Sequence, residues 1–387
     1  MRILQATIRY SPAIGGVEEY VKNISERLAL KKYQVKVLTS DLIKYTPATR
    51  IKQEKNLING VEVIRAKTLS WRLGNYALMP ALALKFIQQQ PEVIHAHCYM
   101  YFPFDAAVLT AYFKKIPLVI NPYLAQLGRP SLFGKAYRHS LGALAMAANA
   151  VVAISEYEKN LIREWGYRPK RIEIIPPGIN FSEFEKEYVN IFEKIGLGEK
   201  KIILFTGRLD FNKGVDLLIN ALPQILSEIP QAHLVMIGPD CGYKDALINL
   251  AKTMGVSKKI TFLGQVERED VIAAMKHASV FVLASRYEAF GIVLIEAMAA
   301  RLPVVATNHS AIPGIINNGV DGLLFPLDNY VQLAQKIIEL IKNGKLRSQI
   351  IETAWQKVKN NFDWDKTAKK TEELYLSLKD EKVYFKL

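Results

Sequence analysis

The chain has 387 residues, half of them hydrophobic, with 22 glycines and 17 prolines, so it is long enough for two ordered domains and is neither disordered nor fibrous. Its two cysteines, Cys98 and Cys241, sit in different halves and neither has metal-ligand spacing, which points to a reducing compartment with no disulfide framework. The net charge of +14 is uneven, with 25 Lys and Arg against 12 Asp and Glu in residues 1–180, but 26 against 25 in residues 181–387; the first half alone is suited to an anionic partner.

Strands are predicted at 2–7, 34–39, 61–65, 92–96, 117–121 and 150–154, separated by amphipathic helical patterns. That alternation is the signature of a doubly wound α/β domain. The first strand begins at Arg2, so no signal peptide is expected. The longest mostly apolar run, Leu141 to Ile154, contains Asn149 and is too short to span a bilayer. Ligands of open α/β sheets bind beyond the carboxyl ends of the strands. After the first strand comes Pro12-Ala13-Ile14-Gly15-Gly16-Val17-Glu18-Glu19. A Gly15-Gly16 pair opening a helix lets backbone approach a phosphate or sugar, although alone it equally makes a tight turn. The strand at 92–96 runs into His95-Ala96-His97, whose two imidazoles share one face. His97 lies nearer the crevice and suits a hydrogen bond with a sugar hydroxyl. The adjacent Cys98 raises a Cys–His nucleophile, which no other residue supports.

Residues 181–200 are charged, lack a strong apolar period and read as a linker. Beyond it, strands are predicted at 201–206, 232–237, 260–263, 280–284, 303–306 and 322–325. The expected domains are therefore 1–180, 201–363 and a charged helical tail at 364–387. The strand at 201–206 opens into Thr206-Gly207-Arg208-Leu209-Asp210-Phe211-Asn212-Lys213-Gly214. Two cations, Arg208 and Lys213, fixed beside a helix start can neutralise a diphosphate leaving group; in isolation they are ordinary loop charges. The turn Phe262-Leu263-Gly264-Gln265-Val266 offers backbone to a base edge. Residues 285–299, Ser-Arg-Tyr-Glu-Ala-Phe-Gly-Ile-Val-Leu-Ile-Glu-Ala-Met-Ala, carry the densest signal. Glu288 and Glu296 stand eight residues apart, about 12 Å if helical, around an apolar helix start at Gly291. One carboxylate can hold sugar hydroxyls and the other ribose hydroxyls, with a diphosphate at the helix start. Alone, such a pair merely solvates a helix. Asp363-Trp364-Asp365 has the form of a metal-binding carboxylate pair, but it follows the last strand and reads as entry to the final helix.

Together, the Gly15-Gly16 loop, His97, Arg208 with Lys213, the Gly264 turn and Glu288 with Glu296 resemble the retaining glycosyltransferases of family 4, over residues 10 to about 325. The resemblance implies the GT-B fold: two Rossmann-like doubly wound domains facing across a cleft, with a C-terminal helix crossing back to the first. It implies that Arg208 and Lys213 bind the donor diphosphate, Glu288 holds the donor sugar and Glu296 the ribose. Gly207, Gly264, Val266, Phe290, Gly291, Ile292 and Val293 would line the donor site. Gly15 and Gly16 would approach from the other domain, and His97 would touch the transferred sugar. Two departures stand out. Pro177-Gly178-Ile179-Asn180 replaces an Asn-Gly-hydrophobic-Asp pattern, and Asn121-Pro122-Tyr123 replaces a loop that often carries a histidine.

The implied reaction is transfer of a hexose from a UDP-sugar or GDP-sugar, with retention and without metal or cofactor. Basic and aromatic residues mix at Trp71-Arg72, Lys114-Lys115 and Arg129, Phe133, Lys135, Tyr137 and Arg138. With the charge imbalance they point to a lipid or lipid-linked acceptor at an anionic membrane surface, hence to a cytoplasmic protein on the inner membrane face. The alternatives are a soluble enzyme making a small glycoside or polysaccharide, and a catalytically silent nucleotide-sugar-binding protein. Nucleic acid is not expected, because no recognised binding module appears.

Overall fold

The computed structural model describes residues 1–45, 48–69, 72, 73, 76–124 and 132–379. The chain divides into two α/β units. Met1–Gly178 and the C-terminal helix Trp364–Ser377 belong to the first, and Ile179–Asp363 forms the second. The sheet of the first unit runs edge to edge through Ile172–Ile174, Ala150–Ala153, Leu118–Asn121, Val93–His97, Arg2–Ala6, Gln34–Ser40, Val61–Ala66 and Lys55–Ile58. Only the last strand pairs antiparallel. Val93–His97, Leu118–Asn121 and Ala150–Ala153 are buried at every residue, as expected of parallel strands covered on both faces.

The second sheet is wholly parallel, in the order Ile260–Gly264, Ala232–Ile237, Lys201–Thr206, Val280–Leu283, Val304–Thr307, Leu323–Phe325. Every predicted strand is present. The strands 55–58 and 172–174 and two small hairpins, Leu42–Tyr45 with Ala48–Arg50 and Arg72–Leu73 with Tyr76–Ala77, lie outside the predicted set. They are two to four residues long and carry little apolar pattern.

The expected linker at 181–200 is instead part of the second unit. It forms the helices Phe181–Glu185 and Ile191–Lys194. Phe184, Ile191 and Phe192 are buried there, too irregularly spaced to show a helical period.

The C-terminal helix is bound to the first unit by an apolar stripe and a polar relay. Thr367, Ala368, Thr371, Leu374 and Tyr375 are buried at helical spacing. In the sheet below, Gln5 pairs with His95 and Asn121 with His97 in register, so four polar side chains sit inside apolar strands. His95 Nε2 lies 2.7 Å from Asn121 Oδ1, and its Nδ1 lies 2.5 Å from the Tyr375 hydroxyl. Gln5 Nε2 donates to that hydroxyl at 3.0 Å, while Gln5 Oε1 lies 2.8 Å from His97 Nε2. Gln5, both imidazoles and the Tyr375 hydroxyl are thereby paired, as a closed apolar environment demands. Tyr375→Phe keeps the ring but strips two buried groups of their partner. It is expected to cost about 1–3 kcal/mol, read as a lower urea midpoint; an unchanged midpoint would show that the relay does not hold the helix.

Candidate active site

In the second unit the strand order reverses between Lys201–Thr206 and its neighbour Val280–Leu283. A crevice opens outside the carboxyl ends of strands at such a reversal. The loop 207–214 leaves the first strand, and the loop 284–291 leaves the second.

The two loops touch because Gly214 has no side chain. Its φ is +62°, and a Cβ there would stand 1.9 Å from the Ala284 carbonyl oxygen. Asp210 caps the 3-10 turn Phe211–Lys213, accepting from the Lys213 amide at 3.2 Å. The turn sends Lys213 Nζ to 2.5 Å from Glu288 Oε1. Ser285 Oγ donates to the same oxygen at 2.9 Å. Backbone fixes Glu288 too: its amide donates to Ser310 Oγ at 3.0 Å, and its carbonyl accepts from the Ala311 amide at 3.2 Å. The paired side chains are only 19% and 11% exposed, so water screens their attraction weakly. Arg208 lies 3.4 Å from Asp210 but is 64% exposed, leaving its guanidinium able to meet a solvent-borne anion.

Beside this pair the strands end on a row of glycines. The Gly207 amide donates to Ile237 O at 2.9 Å, and the Gly238 amide donates to Gly264 O at 2.8 Å. A Cβ on Gly238 would come within 1.8 Å of the Gly207 oxygen, so bare backbone is obligatory there. Val266 is half-buried just beyond Gly264.

Gly291, at φ +102°, precedes the helix Ile292–Ala299, whose first residues Ile292 and Val293 present amides without intrahelical acceptors. Phe290 is buried edge-to-face on Phe362. The helix accounts for only the second half of the Glu288–Glu296 interval. Ser285–Gly291 is a loop pinned by Ser310, so the 12 Å helical rise does not apply. Glu296 meets Arg268, whose Nη1 lies 2.6 Å from Glu296 Oε1 and whose Nε lies 3.0 Å from Glu183 Oε2.

Gly15, Gly16 and His97 belong to the first unit and border the reversal of its own sheet, between Arg2–Ala6 and Val93–His97. Gly16 opens the helix Gly16–Leu30 and is exposed. A Cβ on Gly15 would meet Glu18 Oε2 at 2.2 Å, and that carboxylate pairs with Arg9 at 2.6 Å. The helix start thus already carries an anion of the chain.

His97, expected to touch the transferred sugar, makes its contacts within the first unit. Its ring is fully buried, with Nε2 on Gln5 and Nδ1 3.4 Å from the Tyr123 hydroxyl. The face it shares with His95 is the one covered by the C-terminal helix and Tyr20. Cys98 is buried, which pushes its thiol far above the usual range, so it offers no thiolate. Asp365, read as the helix entry, pairs with Arg27 at 2.6 Å.

Residues 14–183 match the family described as Glycosyltransferase Family 4, and residues 189–357 match Glycosyl transferases group 1. An uncharacterized glycosyltransferase of Methanocaldococcus jannaschii is 30% identical over 97% of this chain and 98% of its own. The chain is a family 4 glycosyltransferase. A glycogen synthase of Mycobacterium tuberculosis is 27% identical over 98% of this chain and 95% of its own. Among solved structures, sucrose-phosphate synthase from Thermosynechococcus elongatus aligns over 97% of this chain and 98% of its own, with TM-score 0.80 and 21% identity. Anabaena HepE, solved with UDP and glucose, aligns over 98% and 100% with TM-score 0.80 and 21% identity. These likenesses give the glycosyltransferase its GT-B fold.

Sequence reasoning passed over Asp210, Gly238, Ser285, Arg286, Arg268 and Ser310 in this site. Asp210 was legible as an acid three residues before a turn's last amide. The others depend on contacts between distant segments.

Burial lowers the pKa of His95 to about 3 and that of His97 well below 6.5, the latter also through its neighbour His95. Both rings are neutral when folded, so their contribution to stability is complete above the unfolded imidazole pKa of about 6.5 and is lost as pH falls below it. NMR spectra of the two imidazoles are expected to stay constant from about pH 8 to pH 5. A titration midpoint near 6.5 for either ring would contradict the enclosed relay.

Proposed function

We propose that this glycosyltransferase moves a hexose from a nucleoside diphosphate sugar, UDP- or GDP-linked, to an acceptor hydroxyl with retention at the anomeric carbon. The observation that carries this reading is the Lys213–Glu288 pair at the strand-order reversal. Lysine has three N–H donors and one is spent on Glu288, so two are left for diphosphate oxygens. Both contacts to the Glu288 carboxylate use Oε1, which leaves Oε2 for sugar hydroxyls. Arg208 supplies a second cation, the Gly291 helix start supplies amides, and Glu296 would exchange Arg268 for ribose hydroxyls. The glycine row 207–238–264 gives backbone on which the base packs.

In the step itself, the bond from the anomeric carbon to the diphosphate oxygen breaks, and a bond to the acceptor oxygen forms on the same face. The acceptor proton passes to an oxygen of the departing nucleoside diphosphate. Arg208 and Lys213 stabilise the charge that develops on that leaving group, and the reading assigns this task to them rather than to a metal. Support for the donor class comes from HepE, solved in complex with UDP-glucose.

For the acceptor, the basic first half favours a lipid or lipid-linked saccharide at an anionic membrane surface. Lys159, Arg163, Arg168 and Lys170 line one open concavity of about 340 Å³ whose wall contains no acid. The residues singled out from sequence contribute less. Lys114 caps the helix Pro80–Gln88 by donating to Gln89 O at 2.8 Å, and Tyr137 is buried on Asp105. Arg138 stacks 4.4 Å over Trp165, and Lys135 is exposed. Trp71, Arg129 and the side chains of Arg72 and Phe133 lie outside the described residues. No helix among the described residues is long and apolar enough to cross a membrane, so contact would be peripheral, from the cytoplasmic side. The second reading, a soluble acceptor, is favoured by the likeness to glycogen synthase. A silent nucleotide-sugar binder would keep the donor contacts without turnover.

Glu288→Gln and Lys213→Ala are each expected to lower turnover of the preferred nucleotide sugar by about 100-fold or more, about 2.7 kcal/mol of barrier. Both variants should still unfold in one cooperative transition, with Lys213→Ala melting lower because Glu288 loses its ion-pair partner, and either variant at near-normal turnover would remove that residue from the assignment. For the acceptor, flotation with phosphatidylglycerol vesicles should recover the protein, and neutral phosphatidylcholine vesicles should not. Equal recovery from both would dismiss the membrane reading in favour of the soluble one.

A further inference from the structure

Three cations stand near the strand-order reversal of the second unit: Arg208, Lys213 and Arg286. Arg286 is bound unlike the other two. Its Nη1 and Nη2 grip Asp216 in a fork, at 2.9 and 2.7 Å, and its Nε donates to Asp328 at 2.7 Å. Nη1 also donates to the Phe211 carbonyl at 2.7 Å, and the guanidinium lies 4.0 Å over the Phe211 ring. Its backbone amide donates to the Asn212 carbonyl at 2.7 Å. The side chain is 15% exposed. Two carboxylates therefore neutralise a guanidinium whose remaining contacts all fall on the turn Phe211–Lys213. Such a group has no charge to offer an incoming diphosphate. It has directional grip instead, because the planar fork fixes distance and angle together.

We propose that Arg286 is a positioning residue that locks the Phe211–Lys213 turn to the strand end carrying Glu288, and so sets where the Lys213 ammonium stands. It lies two residues before Glu288, in the loop leaving Val280–Leu283. Its contact with the Phe211 carbonyl adds to the Gly214–Ala284 approach, so the turn is held to this loop at two points. With Arg286 in place, Lys213 has one position relative to Glu288 and the cation is pre-organised before a donor arrives. This inference rests on the reading that Lys213 binds the donor diphosphate.

The experiment is a double-mutant cycle on nucleotide binding. UDP and GDP are titrated calorimetrically into the parent, Lys213→Ala, Arg286→Lys and the double variant, and the tighter nucleotide is used throughout. Lysine keeps the charge of Arg286 but cannot reproduce the fork. Arg286→Lys is expected to weaken binding about tenfold, and adding it to Lys213→Ala is expected to change the dissociation constant by less than about twofold. Asp216→Asn, which loosens the same fork from the other side, should reproduce the loss while binding still depends on Arg208. Thermal melting of every variant separates loosening of the turn from unfolding. Parent-like binding by Arg286→Lys, or strict additivity with Lys213→Ala, overturns the positioning role while leaving Lys213 in the site. If Lys213→Ala itself binds like the parent, the donor reading fails first and this inference falls with it.

Discussion

The second unit depends on the close approach of two loops at the point where its sheet reverses direction. A side chain at Gly214 would drive into the carbonyl of Ala284, so glycine there brings the loops into contact. Contact places an ammonium against a carboxylate, Lys213 on Glu288. An ion pair this enclosed is costly to form unless further hydrogen bonds satisfy its oxygens. Ser285 supplies one, and Ser310 and Ala311 hold the backbone around it. The arrangement is primed rather than inert, because an ammonium paired once still has donors in reserve. On the proposed reading, the positive charge serves the leaving group and the fixed carboxylate serves the sugar.

The first unit is organised around a different constraint. Polar side chains from three adjacent parallel strands lie inside an apolar sheet, and they are tolerable only because the C-terminal helix closes over them. The helix is thus specified by hydrogen bonding as well as by its apolar stripe. His97 belongs to that relay through Gln5. The enclosure of this face is not legible in the strand, and the reason is geometric. Alternation along a strand places His95 and His97 on one face, but nothing in the strand reveals that a helix some 270 residues later covers it.

The fold was legible wherever long apolar runs alternated with helical periods, and all twelve expected strands are present. Short charged strands such as Ile172–Ile174 were not, since three residues carry too little pattern. Residues 181–200 look like a linker because charge dominates them, yet Phe184 and Phe192 anchor them to the second unit. Within the candidate site, the motif residues stand out in the sequence because their types and order suggest a chemistry. Their partners do not: Ser310, Asp216, Asp328 and Arg268 acquire meaning only when distant segments meet.

The most direct measurement is a crystal structure of the protein with a nucleoside diphosphate sugar. The account predicts diphosphate oxygens within hydrogen-bonding distance of Lys213 Nζ and the Arg208 guanidinium, and a sugar hydroxyl on Glu288 Oε2. A nucleotide seated elsewhere on the second unit, with the Lys213–Glu288 pair untouched, would contradict it.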